Sequence, residues 1–418
     1  MSSSFEETFW RAVSPGSERL LAGVVLAAAG SGTEDGRSQQ QDYLAAYGTM
    51  QLIPGSPPVS TKTVMWLASC TKLIATIAAL QCVERGLFDL DSPADVDRLL
   101  PEWKGTQILT GFDNEKPVLQ DAKEKITLKQ LLNHTSGLTY DFFPELLRWR
   151  KSRGESPLTS RGPITEIFTH PLIFEPGTSF AYGPGLDLAG LMVAGANGCT
   201  LEEYMRKNIF DVLGMDDTSF HPREYNDLAT RLMPITARIS PNGPLADGEN
   251  LYSPAQLLHL EAQDEYGGGG LFGTAEDYLK LLKSILRNDG QLLKTGSIDL
   301  MFTPSISPSS KDALNKWLSD PAYASAAIPG EPPVGTAGCG EWTHGIGGLI
   351  GLTDKEGGLK SPWLQWGGAP NLKWWIDREN GSCGIFATQL GPPGEGKHQV
   401  LTNLFQKEMS RIFGKNAA

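Results

Sequence analysis

Four things are scarce in this 418-residue sequence, and each scarcity removes a class of function. Cysteine occurs five times, as Cys70, Cys82, Cys199, Cys339 and Cys383, an odd, scattered set with no CxxC pair. That pattern suits reduced thiols in the cytosol rather than a disulfide frame or a thiolate zinc site. The six histidines show no metal-ligand spacing, so no metal and no cofactor is expected. Positive charge is short as well: the formal net charge is −12, which argues against nucleic acid and anionic membranes as partners. Long hydrophobic runs are missing. The apolar stretch from Leu20 to Ala29 is too short to span a bilayer, and the acidic start with Glu6 and Glu7 lacks a signal peptide's basic flank. The expectation is a soluble, cytoplasmic protein.

What is present is core material. With 40% apolar and 20% charged residues, the chain can bury a sizeable interior. Residues 5–13 suit an amphipathic helix with Phe5, Phe9, Trp10 and Val13 on one side. Strand-like runs follow at Leu20–Ala29, Tyr43–Leu52 and Thr63–Leu67. From 69 to about 330 the texture is helical with long loops, and 302–340, rich in Pro, Ser and Ala, suggests a long loop or lid. Strand texture returns at Gly347–Leu352, Trp363–Trp366, Leu372–Asp377 and Gly384–Gln389. A last helix, about 397–413, places Val400, Leu401, Leu404, Phe405, Ile412 and Phe413 on one face. The order implies one antiparallel sheet built from both termini (1–68 and 335–418), with a mainly helical subdomain (69–334) inserted and the active site at their junction.

Three stretches carry chemistry. In Ser69-Cys70-Thr71-Lys72 the serine opens a helix rich in Ala and Leu, where unpaired N–H groups favour a developing negative charge. Lys72 follows one turn later, so its ammonium can lie beside the Ser69 hydroxyl, a poor nucleophile until its proton is taken. The bland alternative is an N-cap serine followed by a surface lysine. In Pro176-Gly177-Thr178-Ser179-Phe180-Ala181-Tyr182-Gly183 a tyrosine stands in a tight turn. A phenol titrates at about 10 in water and becomes a base only beside a cation, which Lys72 could supply; otherwise Tyr182 is a packing residue. Trp366-Gly367-Gly368-Ala369-Pro370-Asn371 ends a strand with two small residues, where backbone could approach a substrate and an N–H could join that of Ser69 in an oxyanion hole. The alternative there is a glycine bulge. The run Gly267-Gly268-Gly269-Gly270 lacks a following Gly-Lys-Ser/Thr and suits close backbone packing better than phosphate binding. His134 fits a structural role at a helix end, and His344 has no acidic neighbour in sequence, so a Ser-His-Asp triad is the weaker mechanism.

Ser69-Cys70-Thr71-Lys72, the Leu131-Leu132-Asn133-His134-Thr135-Ser136-Gly137-Leu138 stretch, Pro176-Gly177 through Tyr182, and the glycine run with Leu271-Phe272 occur in the order found in the serine β-lactamase and penicillin-binding protein superfamily. The chain resembles that superfamily from about 5 to 413, nearest its class C β-lactamase and carboxylesterase branch and the fungal transesterases within it. The resemblance implies an α+β, β-lactamase/transpeptidase-like fold. It implies Ser69 as acylated nucleophile, Lys72 and Tyr182 as its base pair, and the backbone N–H groups of Ser69 and Ala369 as the oxyanion hole. Trp366, Gly367 and Gly368 stand where β-lactamases carry Lys-Thr-Gly, and Pro184 where they carry Asn or Ser. An aromatic ring cannot pair with a carboxylate, so a neutral, hydrophobic substrate is expected. The implied activity is acyl transfer from a thioester, carried by an acyl carrier protein of a polyketide synthase, to a hydroxyl of a hydrophobic polyketide-type acceptor. Trp366, Trp374 and Trp375 on the late strands, with Phe142, Phe143 and the 302–340 segment as a cover, are the expected pocket for that acceptor. A plain carboxylesterase and an inactive binding relative remain the alternatives.

Overall fold

Gly23-Val24-Val25-Leu26-Ala27-Ala28-Ala29-Gly30 is a run without a polar side chain, and it lies where such a run must, in the middle of a sheet covered on both faces. In the computed structural model, which describes residues 3–16, 18–32, 41–156, 162–240, 243–247, 259–327, 342–355 and 358–415, this strand (β1) pairs with β2 (Tyr43–Gly48) on one side. On its other side the chain's far end takes over. β3 (Trp342–His344), β4 (Leu349–Gly351), β5 (Trp363–Gly368), β6 (Leu372–Asp377) and β7 (Ser382–Thr388) form an antiparallel meander whose last strand pairs with β1. The seven-stranded order is β2-β1-β7-β6-β5-β4-β3. The expected α+β arrangement, one antiparallel sheet from both termini with helices between, is the observed one.

Helices close the faces. Phe5 of the N-terminal helix (Ser3–Val13), Tyr43 of β2 and Phe405 of the C-terminal helix (Gly396–Phe413) meet ring against ring, so both terminal helices share one face. The helix Ala275–Arg287, capped by Thr274 accepting from the Asp277 N–H, packs on β1, β6 and β7. Both terminal stripes are narrower than the sequence suggested. Trp10 and Val400 are 56% exposed, while Phe9, Leu401, Phe405 and Met409 carry the burial.

Two local expectations need correction. Residues 302–327 are not one long loop: Pro308–Leu318 and Pro321–Ala327 are helices, and only 302–307 and 319–320 are irregular. Ser307 caps the first by accepting from the Ser310 N–H, and each proline occupies the first helical position, where its missing N–H costs nothing. Residues 328–341 lie outside those described. Within the helical part, Gln107–Asp113 and Lys116–Asp121 form an exposed hairpin turned by Asn114 and Glu115, both at positive φ, the backbone a two-residue hairpin requires. Only Ile108 and Leu109 are buried, adjacent and so on opposite faces, and the strands therefore carry no apolar alternation to betray them. No described helix is long and apolar enough to cross a membrane.

Candidate active site

The Ser69 turn is fastened from both sides before the helix begins. Met65–Trp66 pairs antiparallel with Phe272–Gly273, and the Gln389 side chain holds the Trp66 backbone at both N and O. The chain then turns sharply: Ala68 has φ of 47°, a left-handed conformation that costs an alanine about 1 kcal/mol. That turn aims Ser69 into the cleft at the start of the helix Thr71–Glu84. Cys70, its neighbour, is buried with its thiol pushed far up by desolvation, so it is no rival nucleophile.

Ser69 Oγ lies 2.6 Å from Tyr182 Oη and 3.2 Å from Lys72 Nζ. The sequence-predicted trio is thus brought together, Lys72 one helical turn on as its spacing requires. Lys72 Nζ also donates to Tyr140 Oη at 3.1 Å and to the Gly268 carbonyl at 2.6 Å, so an ammonium's three protons all have acceptors. The same nitrogen stands 4.8 Å from the centre of the Tyr182 ring. Tyr140 was missed from sequence, although it closes the His134 stretch. Burial, then Asp187 and Tyr182, push its phenol well up, leaving it a neutral donor-acceptor.

The His134 stretch exists to hold Tyr182. His134 is itself at φ of 61°; its carbonyl accepts from the Ala181 N–H at 3.0 Å and its Nδ1 from the Gly183 N–H at 3.4 Å. Thr139 Oγ1 donates to the Tyr182 carbonyl. Three bonds thus fix the backbone on both sides of the phenol, and Pro184 caps the next helix, Gly185–Asn197, with no side-chain bond. Asp141, next to Tyr140, is pinned by the buried Arg150 at 3.1 Å. Burial pushes His134 well down and His344 down to about 4, so both rings are neutral. His344 Nδ1 donates to the Gly345 carbonyl, and no described carboxylate orients it.

The third wall is the end of β5. Trp366 is buried with its ring 5.3 Å from that of Tyr182 and 5.9 Å from His344. Gly368 fits against the Ser69 turn: a Cβ there would stand 2.4 Å from the Leu67 carbonyl oxygen. At Gly367 a Cβ would meet Lys373 at 2.9 Å. Both glycines make room for protein, not only for a ligand. Ala369, partly buried, packs against the cluster containing Ala68, which sets the strand end beside the Ser69 turn. Trp374 and Trp375 are 1% exposed core residues, Trp375 against Phe405, and line no cleft. The aromatic rim comes instead from Tyr140 stacked on Phe142, and from Tyr323 against Phe143 and Trp317, the last 6.1 Å from Tyr182.

Between Lys72, His134, His344 and Trp366 lies a cavity of about 10 Å³, the space of a single water. Among the described residues no group of three His, Cys, Asp or Glu could hold a metal. The arrangement offers a hydroxyl, a phenol oxygen within reach of its proton with an ammonium beside both, and a helix start to receive negative charge, which is the equipment of acyl transfer.

A family model described as Beta-lactamase matches residues 22–406. Lovastatin esterase of Penicillium rubens is 38% identical over 379 residues, covering 90% of this chain and 92% of its own. Monacolin J acid methylbutanoyltransferase of Aspergillus terreus is 36% identical, covering 84% of this chain and 82% of its own. The unliganded structure of simvastatin synthase (LovD) from Aspergillus terreus superposes with a TM-score of 0.86 at 33% identity, over 99% of this chain and 98% of that one.

Proposed function

This chain belongs to the Beta-lactamase family, and on that premise we propose that it is a serine acyltransferase in which Ser69 carries the acyl group between a thioester donor and a hydrophobic alcohol. One observation carries the assignment: Ser69 Oγ within hydrogen-bonding distance of both Tyr182 Oη and Lys72 Nζ. Ser69 Oγ attacks the thioester carbonyl as its proton passes to the Tyr182–Lys72 pair. The backbone N–H groups of Ser69 and Ala369 receive the oxyanion, a donor of that kind being worth about 3 kcal/mol. The C–S bond breaks, the thiolate takes the proton from the pair, and the acyl group stays on Ser69. An acceptor hydroxyl then gives its proton to the same pair and attacks the acyl carbonyl, and the new ester leaves as Oγ is reprotonated.

Carriage of the donor by an acyl carrier protein, and a polyketide alcohol as acceptor, are the finer parts of the proposal. The monacolin J acid transferase relative supports the acceptor class. So does the aromatic rim of Phe142, Phe143, Trp317 and Tyr323, which offers a polycyclic body area to cover and offers water nothing. Trp366 and the Gly367-Gly368 step stand as the substrate-facing end of β5. Against transfer stands hydrolysis, favoured by the 38% identity to lovastatin esterase.

A product ratio separates the two. With a butyryl thioester and a panel of hydrophobic secondary alcohols, ester should exceed free acid. Formation of acid alone across the panel, with simple esters cleaved rapidly, would make the enzyme an esterase.

A further inference from the structure

The glycine run at 267–270 has entered so far only through the Gly268 carbonyl, and Gly268 is fitted around one side chain. A Cβ on Gly268 would lie 2.3 Å from Asp187 Oδ2, and one on Gly267 2.5 Å from the Leu186 carbonyl oxygen. Only glycine lets the run settle onto the first turn of the helix Gly185–Asn197. Asp187 is 2% exposed and has no basic side chain bonded to it among the described residues. Its Oδ1 accepts the Gly268 N–H at 2.8 Å, and the Gly268 carbonyl accepts from Lys72 Nζ at 2.6 Å. A buried carboxylate without a paired cation is costly, and the charge it faces across that glycine is Lys72.

We propose that Asp187, seated on the glycine run, is a positioning residue: it is the buried counter-charge to the Lys72 ammonium and thereby directs the Ser69 proton out through Tyr182. This rests on the Ser69–Lys72–Tyr182 mechanism above. The ammonium keeps its three donors on Ser69, Tyr140 and Gly268, and the phenol 2.6 Å from Oγ is then the group left to take the proton. Facing Asp187 are Lys72, Tyr140 and Tyr266; facing Lys72 are also His134, His259 and the Cys70 thiol. Burial holds both histidines neutral, which leaves Asp187 as the anion in the set. Burial raises its carboxyl to about 6 while Lys72 pulls it down.

Asp187→Asn keeps an acceptor for the Gly268 N–H and deletes only the charge. Removing a negative charge eases loss of a proton from the Lys72–Tyr182 pair. The acid limb of kcat/KM for a butyryl ester should therefore move to lower pH by on the order of one unit. A purely structural aspartate predicts no shift, and an unmoved limb, or one moved to higher pH, overturns the proposal. Activity surviving in Ser69→Ala would instead overturn the mechanism beneath it, so the two failures are distinguishable. Should Asp187→Asn lack a cooperative melt, the coupling is read from the other side. The infrared band of the buried carboxyl in Lys72→Met should titrate at higher pH than in wild type, and an identical titration refutes it.

Discussion

Two regions of this molecule bury a lysine, and they do it by different means. Lys72 sits 4% exposed at the helix start, ringed by Ser69 Oγ, Tyr140 Oη and the Gly268 carbonyl, with the Asp187 carboxylate behind. Lys373, on β6, is wholly buried and reaches the backbone carbonyls of Ser325 and Ala326 at the end of a helix. No described carboxylate pairs with it, and burial pushes it down to about 7. The helix end favours a cation, and the titratable groups that feel Lys373, the Cys70 thiol and the His398 ring, are both held uncharged by burial. Around Lys72, two of three acceptors are hydroxyls, and a third, Tyr182, is one bond away. Burial alone leaves Lys373 a packed cation site; hydroxyl neighbours are what make Lys72 a candidate for acid–base work.

The sharpest break in that comparison is removal of the group Lys72 serves. Ser69→Ala should lower activity on the order of 10⁴-fold or more. Wild type given a short acyl thioester should gain one acyl mass on the Ser69 peptide, and an adduct on Cys70 would reverse the assignment.

Next in size are the partners. Lys72→Met and Tyr182→Phe should each cost about 10²- to 10³-fold in kcat/KM. Because Lys72 would act on the proton through Tyr182, the double variant should lose far less than the product of the single losses. Full multiplicativity would mean that they act independently.

How much of this difference can be read in the sequence depends on distance along the chain. Ser69 and Lys72 are legible because a helix fixes residues three apart on one side. Tyr182 is legible as a turn residue and, beside a cation, as a candidate base; its meeting with Ser69 depends on bonds from His134 and Thr139, which no spacing reveals, and only the family resemblance implied it. Asp187 and Tyr140 were not found at all. A lone aspartate in a helix means little until Gly268, eighty residues on, is seen to be shaped around it. The Lys373 region failed in the opposite way: Trp374 and Trp375 invite a pocket reading, while the strand's alternation puts one on each face of a doubly covered sheet. The helices at 308–327 were hidden by prolines that break a helix inside but start one at its end.

The third test bears on Lys373 and on stability. Its ordinary value is 10.5, and in the fold it is about 7. The folded chain thus binds fewer protons than the unfolded one between those limits, so this group's contribution rises with pH there. It is lost as pH falls to about 7 and fully recovered above 10.5. Lys373→Met should leave two helix-end carbonyls unsatisfied, a contribution of about 1–3 kcal/mol that does not itself vary with pH. The diagnostic is slope: between pH 7.5 and 9.5, within that interval, unfolding free energy in urea should rise more steeply for wild type than for the variant. Parallel curves would show that Lys373 keeps its proton in the fold.

The smallest effect is expected where a second mechanism would put one of the largest. His344 lies 5.8 Å from Phe180 and 5.9 Å from Trp366, ring to ring, close enough to the cleft to be mistaken for a triad base. Its chemistry says otherwise. Nδ1 is committed to the Gly345 carbonyl at 2.7 Å, and burial lowers the ring to about 4. A triad histidine needs a carboxylate on Nδ1 to stabilise the imidazolium it becomes, and a backbone carbonyl supplies none of that charge. His344→Asn retains an amide donor for Gly345 and removes the imidazole. It should lower kcat/KM by less than about tenfold, through repacking against Trp366, where loss of a general base costs about 10²- to 10⁴-fold. A loss in that higher range, with an unchanged melting temperature, would move the base from the lysine–tyrosine pair to the histidine.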